Sequence, residues 1–298
     1  MPLSFVQTGF FRPLRALSLG LGILLALGAM VAGPARAIET PAAYVALMDY
    51  ATGDVVFEKN ADELMAPASM SKMMTMVMLF DAIGDGRVSL DDEFVISENA
   101  WRKGGAASGS STMFADVNSR VPVRDLIYGV IVQSGNDACI AIAEALAGSE
   151  EAFAEQMTAR AREIGLEKST FTNATGWPEP DHLMTARELA MLARYIIANY
   201  PDFYRIYSVK EFEWNGITQQ NRNPLLYMNM GADGLKTGHT SVSGYGLTAS
   251  AERGGRRFIL VVNGLESERQ RADETQRLMD RAFREFRTYD LLEPGQVV

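Results

Sequence analysis

The segment GYGLTASAERGGRRFILVVNGL, residues 244–265, gives the clearest indication of the fold. Two runs that suit β-strands, GYGLTASA and RRFILVVNGL, flank a turn at ERGG, which predicts an antiparallel hairpin. Near the other end of the chain, residues 44–58 (YVALMDYATGDVVFE) predict two strands around a turn at ATGD. Strands therefore lie near both ends of the chain.

Helical patterns occupy the region between these strands. The Gly/Ser-rich residues 98–114 interrupt them and are expected to form a loop. Strands near both ends around a helical block predict an α+β fold, an antiparallel sheet from both chain ends with the helices packed on it. The predicted helices of this block cover residues 66–83, a segment from about Val123, a segment after Ser134, and residues 149–165. A further helix starts at a capping box formed by Thr185 and Glu188, and a last one, after the strands, runs from about Arg271 to Tyr289.

Composition and charge exclude some classes of protein. The 298 residues are 47% hydrophobic and 22% charged, which is typical of a globular protein. The formal net charge of -9 argues against a nucleic-acid partner, because phosphate binding relies on lysine and arginine. The single cysteine, Cys139, cannot form an internal disulfide, and its apolar surroundings predict a buried side chain.

The first 37 residues predict an export signal. Arg12 and Arg15 precede the apolar stretch ALSLGLGILLALGAMVAG, and ARA follows at residues 35–37. A basic head, an apolar middle and a small-x-small end form a secretory signal peptide, so we expect cleavage after Ala37. A retained membrane anchor is the alternative, because the apolar stretch is long enough to span a bilayer.

A polar pair stands at the head of a methionine-rich helix. In APASMSKMMTMVMLF, residues 66–80, Ser69 and Lys72 lie on one side of the helix, whereas Ser71 projects about 100° away. A serine nucleophile needs a neighbouring base, and apolar surroundings lower the pKa of a lysine. The pair predicts a nucleophile at Ser69 and a base at Lys72. Alone, this spacing is common and more often reflects a helix cap and a solvated lysine.

Two further motifs offer polar groups for the same site. QSGND places Ser134 and Asn136 at a break between two predicted helices, where their side chains can enter a cleft. DGLKTGHTSVSGYGL places Lys236, Thr237 and Gly238 directly before a strand. Lys236 offers a positive charge, and Thr237 offers a hydroxyl group that can bind a carboxylate. Gly238 has no side chain, so a substrate backbone could lie against that edge of the strand. Each motif alone also fits a turn of small residues.

The three motifs, in this order, resemble the Ser-x-x-Lys, Ser-x-Asn and Lys-Thr-Gly set of penicillin-binding proteins and class A β-lactamases. PASMSKMMT, LIYGVIVQSGNDAC and DGLKTGHTSVSGY more closely resemble low-molecular-mass penicillin-binding proteins of the D-alanyl-D-alanine carboxypeptidase type (peptidase S11-like). The resemblance runs from about Tyr44 to Tyr289. It implies a serine β-lactamase/transpeptidase-like fold and removal of the terminal D-alanine from peptidoglycan pentapeptide through an acyl-serine intermediate.

The resemblance also implies a role for each site residue. Ser69 would be acylated with Lys72 as the base, although the choice between Lys72 and Lys236 as base stays open. Ser134 and Asn136 would relay protons and hold the peptide. Lys236 and Thr237 would bind the terminal carboxylate of the substrate, which Arg271 would also approach, and Gly238 would leave the strand edge open. The backbone N–H groups of Ser69 and His239 would form the oxyanion hole.

The same resemblance implies partners and location. Peptidoglycan stem peptides are the expected substrates and β-lactam antibiotics the expected covalent inhibitors, in the periplasm or cell envelope. No cofactor or metal is expected, because no His, Cys and acidic residues cluster at ligand spacing. Residues 38–290 are the expected catalytic domain, and residues 291–298 (LLEPGQVV) the expected start of a β-rich domain. Contact with a membrane surface is expected only through a C-terminal segment that would follow residues 291–298.

Three alternative functions use the same motifs. A D,D-endopeptidase would cut cross-linked stem peptides, and a sensor domain would bind β-lactams without catalysis. A class A β-lactamase would need a glutamate that activates water; Glu179 lies in the right region, but Leu183 stands where that class has an asparagine. His182, in the loop WPEPDHLMT, is expected at the surface.

Overall fold

A five-stranded antiparallel sheet brings together the amino and carboxyl parts of the chain. The computed structural model describes residues 38–287. The strand order is β2-β1-β9-β8-β7, so the two predicted hairpins pair with each other and the predicted sheet is confirmed. The strands are β1 (Tyr44–Asp49), β2 (Val55–Lys59), β7 (Ala232–Thr240), β8 (Gly244–Arg253) and β9 (Arg256–Leu265).

Two short ladders add to this sheet. β3 (Glu93–Val95) pairs with β4 (Arg120–Pro122), and β5 (Glu211–Trp214) pairs with β6 (Ile217–Gln220). The sequence analysis does not predict these strands, because three or four residues are too few for an alternating pattern to stand out.

The helical block lies between the strands in sequence, as predicted, and a last helix follows β9. Among residues 38–287, four 3-10 turns accompany the helices: Ala68–Ser71, Ala106–Ser108, Arg205–Ser208 and Pro224–Tyr227. The α-helices are α1 (Lys72–Gly84), α2 (Glu98–Gly104), α3 (Val123–Ile131), α4 (Asn136–Ala147), α5 (Glu150–Glu163), α6 (Ala186–Asn199), α7 (Pro201–Tyr204) and α8 (Glu268–Glu285).

The predicted loop at residues 98–114 is wrong in its first part, which forms α2. Ser97 caps this helix, since its side chain accepts a hydrogen bond from the Ala100 N–H at 2.9 Å. Glu98 in the first turn and basic residues in the last turn also suit the helix dipole. The glycines and serines that indicated a loop become dense only after this helix.

The last helix begins three residues before its predicted start. Ser267 caps it by accepting a hydrogen bond from the Gln270 N–H at 3.1 Å, so the helix begins at Glu268. It ends at Glu285, whereas the predicted end, Tyr289, lies outside the described residues.

The capping box at the start of α6 forms only in one direction. Thr185 Oγ1 accepts a hydrogen bond from the Glu188 N–H at 3.1 Å. The Glu188 carboxylate instead accepts from the backbone of Lys168 and the hydroxyl of Ser169, at 2.7 and 2.5 Å. Glu188 therefore fixes the preceding loop rather than the helix start.

The methionine-rich helix α1 is buried on nearly every side, as predicted. Its residues Met73, Met74 and Met76 are almost inaccessible, and the helix contacts α3, α4, α5 and α6. Lys72 is the first residue of this buried helix, so its side chain lies in the interior of the protein.

The predicted signal peptide and residues 291–298 lie outside the described residues. Within residues 38–287, no helix is long and apolar enough to cross a membrane.

Candidate active site

Ser69 and Lys72 contact each other as the helical spacing predicts. Ser69 lies in the 3-10 turn Ala68–Ser71, which runs directly into α1 at Lys72. The Lys72 ammonium donates to Ser69 Oγ at 2.9 Å, whereas Ser71 donates to the Ala68 carbonyl. Lys72 is 1% exposed, and this burial lowers its pKa to about 8. A lysine with this pKa can release and accept a proton near neutral pH.

A loop at residues 173–177, about a hundred positions further along the chain, completes the surroundings of Lys72. The Thr175 carbonyl accepts a second hydrogen bond from Lys72 Nζ at 2.5 Å. Asn173 Oδ1 holds the loop by accepting from the N–H groups of Thr175, Gly176 and Trp177 at 2.8 to 3.1 Å. This loop was not predicted from the sequence, although an asparagine followed by small polar residues favours such a turn.

The same loop is fastened to the helical block at Ala174. Thr75 on α1 donates to the Ala174 carbonyl at 2.7 Å, and Glu150 on α5 accepts from the Ala174 N–H at 3.2 Å. Helix α1 therefore carries Lys72 and also fixes Ala174, the residue before Thr175, whose carbonyl accepts from Lys72.

Ser134 and Asn136 lie at the helix break that the sequence predicts, between α3 and α4. Ser134 is buried and has a φ of 60°, which an L-residue rarely adopts. Its hydroxyl has no hydrogen-bond partner among residues 38–287. Asn136 Nδ2 donates to Ser110 Oγ at 3.0 Å, while its Oδ1 also has no partner in this range. Both residues thus retain unused hydrogen-bonding capacity.

The Lys-Thr-Gly motif forms the middle of β7. Lys236 is 4% exposed, and its ammonium donates to the Thr237 carbonyl at 3.2 Å. Burial, and then the positive charges of Lys72 and Arg222, hold the pKa of Lys236 well below its ordinary value. The two lysines of the motifs are therefore close enough to affect each other electrostatically.

Gly238 allows β7 to approach the turn that carries Ser69. A Cβ atom at Gly238 would lie 2.8 Å from the Pro67 carbonyl oxygen and 3.1 Å from Met70 Cγ. From the sequence, the space left by the absent side chain of Gly238 was expected to accommodate a substrate backbone. The structure gives a different reason, which is the close packing of β7 against the Ala68–Ser71 turn.

His239 and Arg271 belong to a stack beside the cleft. The rings of His239 and Tyr245 are stacked with centroids 3.8 Å apart, and the Arg271 guanidinium lies 5.8 Å from the centre of the Tyr245 ring. Arg271, on α8, is 5% exposed, and its Nε has no hydrogen-bond partner among the described residues. The structure therefore links Arg271 to the cleft through Tyr245.

Arg222 is a second arginine near the site that the sequence analysis missed. It donates to Ser111 Oγ at 2.5 Å. Burial is the main reason why the pKa values of Lys72, Lys236 and Arg271 are lowered, and the charge of Arg222 lowers them further. Arg222 lies in an irregular segment after β6, where no periodic pattern indicates a contact with residues more than a hundred positions away.

A cavity of about 330 Å³ opens beside Ser69. Of the predicted site residues, Ser69, Asn136 and His239 line it. The remaining wall comes from the Gly/Ser-rich segment Gly109–Ser111, the segment Thr175–Pro178, and Thr240 and Ser241. The arrangement suits an extended ligand that passes a serine nucleophile along the edge of β7.

Three residues outside the motifs have clear positions. Cys139 is buried and unpaired, as predicted, and burial raises its pKa to about 12. His182 is 1% exposed, so its predicted surface location is wrong; burial lowers its pKa to about 4. Its ring makes a T-shaped contact with the ring of Phe171. Glu179 is exposed and does not line the cavity that contains Ser69.

Comparison with known proteins now identifies the family. The peptidase S11 family, described as D-alanyl-D-alanine carboxypeptidase, matches residues 30–267. The chain belongs to this family. The predicted family, the serine β-lactamase-like fold and the class of serine peptidase are therefore confirmed.

Individual relatives agree with this assignment. D-alanyl-D-alanine carboxypeptidase DacC of Escherichia coli (strain K12) is 40% identical over 97% of this chain and 73% of its own length. The crystal structure of D-alanyl-D-alanine carboxypeptidase DacD from Francisella tularensis has a TM-score of 0.83 and 34% identity, covering 88% of this chain and 75% of that one. Penicillin-binding protein D2 from Listeria monocytogenes, in its ampicillin-bound form, has a TM-score of 0.71 and 28% identity, covering 83% and 98%.

The chain spans about two thirds to three quarters of the length of three curated relatives that it matches, from Escherichia coli and Salmonella typhimurium. Among residues 38–287, no group of three or more His, Cys, Asp or Glu side chains is placed to hold a metal ion.

Proposed function

We propose that this S11 peptidase removes the terminal D-alanine from peptidoglycan pentapeptide, with Ser69 as the nucleophile. The observation that supports this most is the hydrogen bond between a buried lysine of lowered pKa, Lys72, and Ser69 Oγ. Two further observations support it: Asn136 and His239 line the same cavity as Ser69, and Gly238 of the Lys-Thr-Gly strand packs against the turn that carries Ser69.

Acylation begins with Lys72 as the neutral amine. Lys72 Nζ accepts the Ser69 proton while Ser69 Oγ forms a bond to the carbonyl carbon of the penultimate D-alanine. The developing oxyanion lies near the backbone N–H groups of Ser69 and His239. The C–N bond then breaks, and the terminal D-alanine leaves after its nitrogen receives a proton through the Ser134 hydroxyl, whose hydrogen-bonding capacity is unused. Water then attacks the ester carbonyl carbon while Lys72 Nζ takes its proton, the C–Oγ bond breaks, Ser69 Oγ receives that proton, and the shortened peptide leaves as a carboxylate.

The terminal carboxylate of the substrate identifies the correct end of the peptide. Lys236 and Arg271 supply positive charge near the position of this carboxylate beside β7, and Thr237 supplies a hydroxyl group that can donate a hydrogen bond to it. Arg222 adds to this field, since its charge affects both Lys236 and Arg271. A buried cationic environment favours a free carboxylate over an amide, as a carboxypeptidase requires.

β-Lactams follow the first half of the same reaction. Ser69 opens the lactam ring and becomes acylated, but the amine remains attached to the acyl group and cannot diffuse away. Glu179 does not line the Ser69 cavity, so the residue considered for rapid β-lactamase hydrolysis is not placed for that role. We therefore expect a slowly hydrolysed adduct in the periplasm or cell envelope.

Release of free D-alanine from diacyl-Lys-D-Ala-D-Ala tests the proposal directly. The unmodified protein should release one D-alanine per peptide, and the Ser69→Ala variant should release none above the rate without enzyme. Equal release by both proteins would show that Ser69 is not the nucleophile. A parallel incubation with cross-linked dimeric stem peptide separates carboxypeptidase from endopeptidase activity, because only the latter yields monomers.

A further inference from the structure

His182 is a buried histidine that the proposed reaction does not use. It is 1% exposed, and its Nδ1 accepts a hydrogen bond from the Thr172 N–H at 3.2 Å. Because Nδ1 is an acceptor, the ring is neutral and its proton lies on Nε2, which has no hydrogen-bond partner among residues 38–287. Burial, and then the positive charge of Lys72, lower the pKa of His182 to about 4, so the ring stays neutral near pH 7.

His182 joins the two arms of a closed loop, residues 170–183. The arms meet at Thr170 and Leu183, whose backbone groups exchange two hydrogen bonds of 2.8 and 3.1 Å. Just inside this pair, the His182 ring on one arm holds the Thr172 N–H on the other. Bonds between the arms therefore fix both the base of the loop and the first residues inside it.

The turn that meets Lys72 begins directly after Thr172. Asn173 Oδ1 accepts hydrogen bonds from three N–H groups of this turn, and the Thr175 carbonyl accepts from the Lys72 ammonium at 2.5 Å. The bond from Thr172 to His182 thus fixes the residue at which the chain enters the turn.

The second arm of the loop continues to the segment that carries the nucleophile. Met184, two residues after His182, exchanges two backbone hydrogen bonds with Met65, at 2.8 and 3.0 Å. Met65 lies four residues before Ser69. His182 therefore connects the turn that meets Lys72 with the chain that leads to Ser69.

We propose that His182 is a positioning residue for Lys72. Its neutral ring holds Thr172 and thereby keeps the Thr175 carbonyl, and the turn around it, against the Lys72 ammonium. Without this bond the turn moves away and water reaches the ammonium. Burial is the largest cause of the lowered pKa of Lys72, so hydration raises that pKa and leaves less of the neutral amine. This inference rests on the proposed function, because Lys72 is the base of that reaction.

The pH dependence of acylation by benzylpenicillin tests this role. In His182→Leu, which lacks the acceptor, the midpoint of the profile should rise by about 0.5 to 1 pH unit, which slows acylation at pH 7 about threefold to tenfold. His182→Asn offers an acceptor in the place of Nδ1 and should keep the original midpoint. The variants leave unchanged the other titratable groups that affect Lys72, which are Asp137, Cys139, Glu150, Arg222 and Lys236.

Phe171→Leu is the matched control for packing. It removes the T-shaped ring contact with His182, while the backbone N–H of residue 171 keeps its bond to Thr158 Oγ1. This variant should lower the melting temperature and keep the midpoint. An unchanged or lower midpoint in His182→Leu would overturn the inference, and so would an equal rise in His182→Asn or in Phe171→Leu.

Two NMR measurements keep the inference testable in every case. If the unmodified protein is not acylated, the proposed function fails instead, and carbon-13 titration of Lys72 Cε in the same proteins replaces the kinetic midpoint. If His182→Leu does not fold, nitrogen-15 spectra of the unmodified protein decide. A neutral ring with its proton on Nε2 from about pH 5 to pH 9 supports the assignment; a proton on Nδ1 in this range rejects it.

Discussion

At the scale of single residues, burial gives Lys72 its chemistry. The ammonium loses hydration inside α1's methionine-rich surroundings, and this loss outweighs the neighbouring groups that favour the charged form. Its remaining partners are one hydroxyl and one backbone carbonyl, at Ser69 and Thr175. Because no carboxylate forms an ion pair with it among residues 38–287, Lys72 is easily deprotonated.

The lowered pKa of Lys72 predicts how acylation depends on pH. Only the neutral amine can take the Ser69 proton, and its fraction rises with pH through the pKa of about 8. The second-order rate constant for acylation by benzylpenicillin should therefore rise about tenfold between pH 6 and pH 7 and level off above about pH 9. Stopped-flow measurement gives this constant. A profile that is flat or falls over pH 6 to 9 would contradict Lys72 as the base.

At the scale of elements, the site depends on β7 lying close against the Ala68–Ser71 turn. The β7–β8 register places Lys236 opposite Thr248 and His239 opposite Tyr245, so the motif is held in a paired strand. The reactive turn joins directly to α1, whose faces are buried by the helical block. A small displacement between strand and turn would separate the nucleophile from the residues that position the peptide.

Substitution of Gly238 tests this close approach. Gly238→Ala places a Cβ atom 2.8 Å from a backbone oxygen, which cannot move as a flexible side chain would. We expect acylation of Ser69 to slow by about tenfold or more, together with a stability loss of roughly 1–3 kcal/mol. Thermal unfolding and acylation kinetics measure the two effects.

Gly84→Ala is the matched control, because it lies at the end of α1 and has no atom within 4 Å of the added Cβ. It should keep full acylation and gain up to about 1 kcal/mol of stability. If Gly238→Ala behaves like Gly84→Ala, the proposed close packing at β7 is unimportant for the site.

At the scale of the whole molecule, the sequence predicts what is local or strongly patterned. The hairpins, the α1 burial and the Ser69–Lys72 pair follow from periodicities of two and of three to four residues. The roles of the loop at residues 173–177 and of Arg222 could not be predicted, because Thr175 and Arg222 lie in irregular segments and contact residues a hundred or more positions away. The burial of His182 is likewise decided by packing of a polar loop, which no local pattern reveals.

The central claim is that Ser69 is the nucleophile of this S11 peptidase, and trapping its acyl adduct tests that claim most directly. The protein is incubated with benzylpenicillin, and mass spectrometry of the intact chain and of its peptides locates the label. The account predicts one penicilloyl group per chain, on Ser69, that persists for minutes, and none on Ser69→Ala. A label on another residue, an equal label on Ser69→Ala, or fast repeated turnover of benzylpenicillin would contradict it.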